Sequence, residues 1–189
     1  AHLGYDRINE IWKTDGAGDE VLSGFVRDLQ TLSDLGVPKA LVHVSSSEHP
    51  PKTSEIGVER YEKLCVEAKK LGVRILFENN KVKGYLEYIF ERLNADNTGI
   101  CLDAGHCHAH FKDDFPWETL GEKIEELHLH DNDGSCDQHF LPFDGSVPWE
   151  FYIRELKKCG YSGAITLESR YYDKYLTESV EDFYKTAYE

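Results

Sequence analysis

The chain has 189 residues, enough for one domain or at most a small pair. Its 35 acidic residues outnumber 21 basic ones, and the net charge of −14 argues against a nucleic-acid partner, which calls for a basic face. Hydrophobic residues make up 40%, so a packed core is within reach, while no apolar run approaches the roughly 18 residues of a membrane span.

Helical spacing over residues 20–35 puts Val21, Leu22, Phe25, Leu29 and Leu32 on one face and stops at Gly36. The apolar run Ala40-Leu41-Val42-His43-Val44 follows. Residues 55–71 repeat the design, with Tyr61, Leu64, Cys65, Ala68 and Leu71 inward, Gly72 as the stop and Ile75-Leu76-Phe77-Glu78 next. Further apolar strands are expected at 99–103 and 124–130. The Asp- and Gly-rich stretch 131–147 is long for a loop in a compact domain, and such loops are usually functional. Pro148 suits the first turn of a helix over 148–159, Gly160 ends it, and Ala164-Ile165-Thr166-Leu167-Glu168 forms a fifth strand over 163–168. Apolar strands alternating with helices define an α/β fold with a parallel sheet, read as one domain over 1–189. Ala1-His2-Leu3 has the pattern of the tail of a further strand.

Five cysteines (Cys65, Cys101, Cys107, Cys136, Cys159) without paired spacing fit a reducing compartment, and a cytoplasmic location is expected. The lack of any Met points to a trimmed or incomplete N-terminus.

Each strand ends in a residue able to bind a metal: His43, Glu78, Asp103 with His106 close behind, His128 with His130 two residues on, and Glu168. All strand C-termini of a parallel sheet lie on one side, so these residues converge. Any one Asp or Glu among them reads equally well as a cap or turn residue, and a lone His on an apolar strand is more often a satisfied core histidine than a ligand. Converging carboxylates among apolar residues repel each other unless a cation joins them. Oxygen and imidazole donors without thiolate suit Zn²⁺, Mn²⁺, Co²⁺ or Mg²⁺. The choice between His128 and His130 stays open. Asp137 and His139, with His106, offer a second metal site or a substrate clamp, against the blander reading of a polar loop. His49, His108 and His110 read as loop residues. Trp117, Phe140, Phe143 and Trp149 either wall a ligand or pack in the core.

The stretches LVHVS, ILFEN, GICLDAGH, ELHLHDN, DQH with PFDGSVPW, and GYSGAITLES together resemble the xylose isomerase-like barrels. This superfamily includes sugar phosphate isomerases and epimerases and the relatives of endonuclease IV. The resemblance implies a (β/α)8 barrel of the TIM type. It places a shared metal tetrad on Glu78, Asp103, His128 and Glu168, and the additional ligands of a trinuclear zinc version on His2, His43, His106, Asp137 and His139. A full barrel takes about 250 residues. The expectation is therefore an N-terminally incomplete barrel, with five full parallel strands and a possible stub of a sixth. Self-association or swapping would cover its open edge. The resemblance implies a metal-dependent isomerase or epimerase of a small sugar, sugar phosphate or polyol ketone, with Glu78, Glu168 and His106 catalytic. The alternatives are a zinc-dependent phosphodiester hydrolase and a non-catalytic truncated barrel.

Overall fold

The computed structural model describes residues 1–188. Four parallel strands form one sheet in the order β1-β2-β3-β4: β1 Lys39–His43, β2 Arg74–Glu78, β3 Thr98–Asp103 and β4 Ile124–His128. Helices α1 (Ala17–Asp34), α2 (Glu55–Lys70), α3 (Tyr85–Arg92), α4 (Trp149–Lys158) and α5 (Val180–Tyr188) complete the α/β pattern. Gly36, Gly72 and Gly160 all adopt positive φ just past their helices, the backbone region where a residue without a Cβ ends a helix at least cost.

Strand side chains alternate between two faces. Ala40, Val42, Ile75, Phe77, Ile100 and Leu102 face the helices and join the main core. Leu41, Leu76 and Cys101 meet on the opposite face. The same face carries Lys39, Arg74 and Glu126 at the strand starts, where Lys39 pairs with Glu126 and Arg74 with Glu125. At the strand ends it carries His43, Glu78, Asp103 and His128. Register sets His43 opposite Glu78 and Asp103 opposite His128. This is the layered interior of a TIM barrel, with ion pairs at one end, apolar side chains in the middle and ligand-type residues at the other.

Both edges depart from full strands. His2 forms a single parallel bridge to Leu41, so the expected stub lies where the sequence puts it. The expected fifth strand at 163–168 is reduced to one parallel bridge, Leu129 to Leu167. Leu129 N donates to Thr166 O and Glu168 N to Leu129 O, both at 2.9 Å. Ile165 and Leu167 stay 74% and 38% exposed, so this segment pairs on one side only and extends no ladder. β4 stops at His128 rather than 130 because pairing changes partner there: Leu129 turns to 166–168 and Asp131 to Phe140.

Candidate metal centre

Glu78 ends β2, fully buried, with its carboxylate at the middle of a ring of imidazoles. Its Oε2 lies 3.2 Å from both His2 Nε2 and His43 Nε2, and its Oε1 lies 3.1 Å from His128 Nδ1. His128 Nδ1 is also 3.1 Å from Glu168 Oε2, so two carboxylates flank one nitrogen. One donor atom each from Glu78, Asp103, His128 and Glu168 falls within 4.8 Å of the others. His2, His43 and Glu78 form a second such group, and Asp103, His106 and His130 a third.

Asp137 closes the arrangement from the 131–147 loop. Its Oδ2 lies 3.4 Å from His106 Nε2 and 3.3 Å from His139 Nε2. All nine residues singled out in the sequence thus stand around one site. His130 joins them: buried, it lies 3.1 Å from Asp103 Oδ1 and stacks on His139 at 4.1 Å. A Cβ on Gly105 would overlap the His130 ring, so glycine is what admits it. The two histidines of the strand end therefore divide, His128 toward Glu78 and Glu168, His130 toward Asp103.

Three imidazoles are fixed by the backbone. His2 Nδ1 donates to Leu3 O at 2.7 Å, His106 Nδ1 to Asn79 O at 3.0 Å and His139 Nδ1 to Glu168 O at 2.8 Å. A carbonyl accepts only, so each Nδ1 carries the proton and each Nε2 presents to the carboxylates. Nε2 and carboxylate oxygen then face each other across 3.2 to 3.4 Å, a contact that needs a proton or a cation between them.

Titration follows the same logic. Burial pushes the Glu78 carboxyl up, but hydrogen bonds from His128, His2 and His43 outweigh it and hold it well below the usual range. Burial also opposes ionisation of Asp103, and His106 and His130 overcome it downward. Burial lowers the His106 pKa, while Asp103, Asp137 and Glu78 raise it to about 10. Among the described residues, Asp137 Oδ1 and His130 Nδ1 are buried without a hydrogen-bond partner, as donor atoms left open for an ion are. The donor set thus fits a divalent cation held by oxygen and imidazole.

Asn79 braces this site from behind. Its Nδ2 donates to Asp103 O and its Oδ1 accepts from Asp103 N, both at 2.9 Å. The loop that carries Asp137 and His139 is pinned by Asp131. The Asp131 carboxylate accepts from Asn132 N, Phe143 N, Val147 N and Trp149 Nε1 at 2.8 to 3.0 Å.

A cavity of about 690 Å³ opens over the centre, bounded by Tyr5, Ser45, Asn80, Lys81 and Arg170 besides the site's histidines and carboxylates other than Asp103, His128 and His130. None of Trp117, Phe140, Phe143 and Trp149 lines it. Trp149 is tied to Asp131, Trp117 packs on Phe115 and Phe151, Phe140 on Tyr175, and Phe143 leans on Trp149. The aromatic ring at the cavity is Tyr5, stacked on His43 at 4.4 Å. His108 and His110, expected in a loop, lie instead in a short π-helical turn over Cys107–Phe111, where His108 binds Asp113 and Ser146.

The family model described as xylose isomerase-like TIM barrel matches residues 2–186, and the chain belongs to that family. It is 27% identical over 191 residues to inosose isomerase of Halalkalibacterium halodurans, covering 92% of this chain and 67% of the relative. It is 26% identical over 179 residues to the uncharacterised protein y4fM of Sinorhizobium fredii, covering 82% of this chain. The chain spans about half of that relative's length, 53%. The crystal structure of an IOLI protein with a binding zinc atom superposes with a TM-score of 0.76 at 23% identity, over 93% of this chain and 69% of that one. Among the described residues, no helix is long and apolar enough to cross a membrane.

Proposed function

We propose that this chain is a metal-dependent isomerase or epimerase of a small sugar, sugar phosphate or polyol ketone, working by proton transfer next to a carbonyl. One observation carries the reading: Glu78, Asp103, His128 and Glu168 bring donor atoms within 4.8 Å of one another, and Glu78 and Glu168 line a sugar-sized cavity. The names inosose isomerase and zinc-bound IOLI, borne by related proteins, support it. Glu78, Asp103, His128 and Glu168 would hold the ion, with His2, His43, His106, Asp137 and His139 as further ligands where more than one binds. A divalent ion there supplies Lewis acidity to a carbonyl oxygen and orients its neighbour.

Glu78 and Glu168 flank His128 from two sides, 3.1 Å from the same nitrogen. From those positions one takes the proton from the carbon beside the carbonyl and the other returns it, on either face of the carbon. His106, which lines the cavity with its Nδ1 fixed on Asn79 O, would stabilise from Nε2 the oxygen on which charge develops when the tetrad alone holds an ion.

A second reading, a phosphodiester hydrolase with two or three zinc ions, is favoured by the way Glu78 reaches His2 and His43 with one oxygen and His128 with the other. The excess of acidic residues opposes a nucleic-acid substrate. The test is deuterium exchange from solvent into a panel of ketoses and their phosphates, read by NMR with metal-loaded protein. Exchange at the carbon next to the carbonyl, lost in Glu78→Gln and Glu168→Gln, is expected. No exchange in any ketose, together with cleavage of a phosphodiester, would transfer the assignment to the hydrolase.

A further inference from the structure

We propose that the cavity has a second subsite, built by Ser45, Asn80 and Lys81 beyond the ends of β1 and β2, which holds an anionic oxygen group of the substrate. It rests on the isomerase reading of this cavity and names the end of the substrate that does not react. Among the described residues, Ser45 Oγ and Asn80 Nδ2 are buried and have no hydrogen-bond partner, and both residues line the cavity. The two residues are 0% and 3% exposed.

The Asn80 carboxamide cannot be turned over. Its Oδ1 accepts from Val44 N at 2.8 Å and from Ser45 N at 3.3 Å, and an amino group in that place would face two N–H donors. Nδ2 is therefore a donor that needs an acceptor. A buried donor left without one is costly, because it has given up its bond to water. Both residues border the cavity, so an acceptor held there reaches these buried atoms through a small shift of the cavity wall. Neither residue belongs to the groups able to hold a metal.

Charge narrows the acceptor's class. Lys81, next in sequence, lines the same cavity, and among the described residues its ion-pair partner is the exposed Glu48, a pair easily exchanged in water. Arg170 also lines it, and among the described residues its guanidinium makes no hydrogen bond or ion pair. Two open donors beside two cations match an acceptor-only anion, a phosphate or a carboxylate, better than a neutral hydroxyl. The substrate is thus an acidic ketose. Its carbonyl end lies toward Glu78 and Glu168, and its anionic end toward Asn80.

The probes are inorganic phosphate, D-fructose, D-fructose 6-phosphate and D-fructuronate, titrated calorimetrically into the full chain, with metal content measured on each sample. Either charged ketose is expected to bind at least about tenfold more tightly than D-fructose. The 6-phosphate winning names phosphate as the ligand, and the uronate winning names carboxylate. Asn80→Asp keeps Oδ1 for the two N–H groups but sets an oxygen against the anion, and should lose that preference. Ser45→Ala removes a hydroxyl that has no partner, so its Tm should equal or exceed the parent's while affinity for the charged probe falls several-fold. A purely structural serine would lower Tm and leave affinity alone. Equal binding of D-fructose and both anions, or unchanged affinity in both variants, overturns the subsite and means that only water meets these donors. If metal binds and neutral ketoses exchange without preference for an anion, the subsite fails and the isomerase reading stands. If no ketose binds but phosphate does, and both variants lose it, the subsite stands and the isomerase reading fails.

Discussion

Single side chains decide whether this centre holds a cation or merely protons. His106 is raised from 6.5 to about 10, so its contribution to stability is fully present below 6.5 and is lost as pH rises toward 10. Glu78 and Asp103 are lowered from 4.5 and 3.8, and their contribution is present above those values and lost as pH falls below them. Metal-free protein should therefore be most stable between about pH 4.5 and 6.5 and lose Tm by about pH 8.5. A bound divalent ion takes the place of the protons, so the loaded protein should keep its Tm there and bind metal more tightly as pH rises. Thermal melts with and without chelator check this; a metal-free protein more stable at the alkaline end would contradict it. Gly105→Ala drives a methyl group into the His130 ring. It should cost about 1–3 kcal/mol in urea unfolding and weaken metal binding, and parental values in both would show that His130 has room to move. The strand-end residues were legible from the sequence because each closes an apolar run. His130 was only half legible: period two puts it on the face of His128, but its turn toward Asp103 depends on the missing Cβ of Gly105. Ser45 and Asn80 gave no sequence signal, because an unmet donor exists only once the chain is packed.

At the scale of elements, the helices were legible because each pairs a 3.6-residue apolar face with a glycine stop, as α2 does with Leu64, Cys65, Ala68 and Gly72. The fifth strand was not, since its apolar pattern says nothing of whether an outer neighbour exists to pair with it. The 131–147 loop read as a long functional loop, and the structure adds its mechanical basis. Four donors of the loop and α4 converge on the buried Asp131 carboxylate. Asp131→Asn turns an amino group toward at least one of those donors and should cost about 2–4 kcal/mol. It should also loosen Asp137 and His139 more than Glu78, so a second metal equivalent weakens before the first. Denaturant midpoints and metal titrations of this variant test the anchor. An unchanged midpoint would remove Asp131 from that role.

Across the whole molecule, the sheet ends on one side in a lone bridge at Leu167, beside the exposed Ile165. Edges of this kind pair with other chains. The 189-residue chain is expected to self-associate, and Ile165→Lys to reduce that association; a clean monomer by light scattering would count against an open edge. Such a result would leave the heart of the centre untouched, because His43, Glu78, Asp103 and His128 come from strand ends already joined in one sheet. The central claim is that those ends hold a divalent ion. Plasma mass spectrometry of the parent and of Glu78→Gln, purified without chelator and again after incubation with Zn²⁺, Mn²⁺, Co²⁺ and Mg²⁺, tests it most directly. One to three ions per parent chain, lost in a Glu78→Gln protein of unchanged circular dichroism, is the predicted result. A parent that takes up none of the four ions, or a variant that keeps them all, would contradict it.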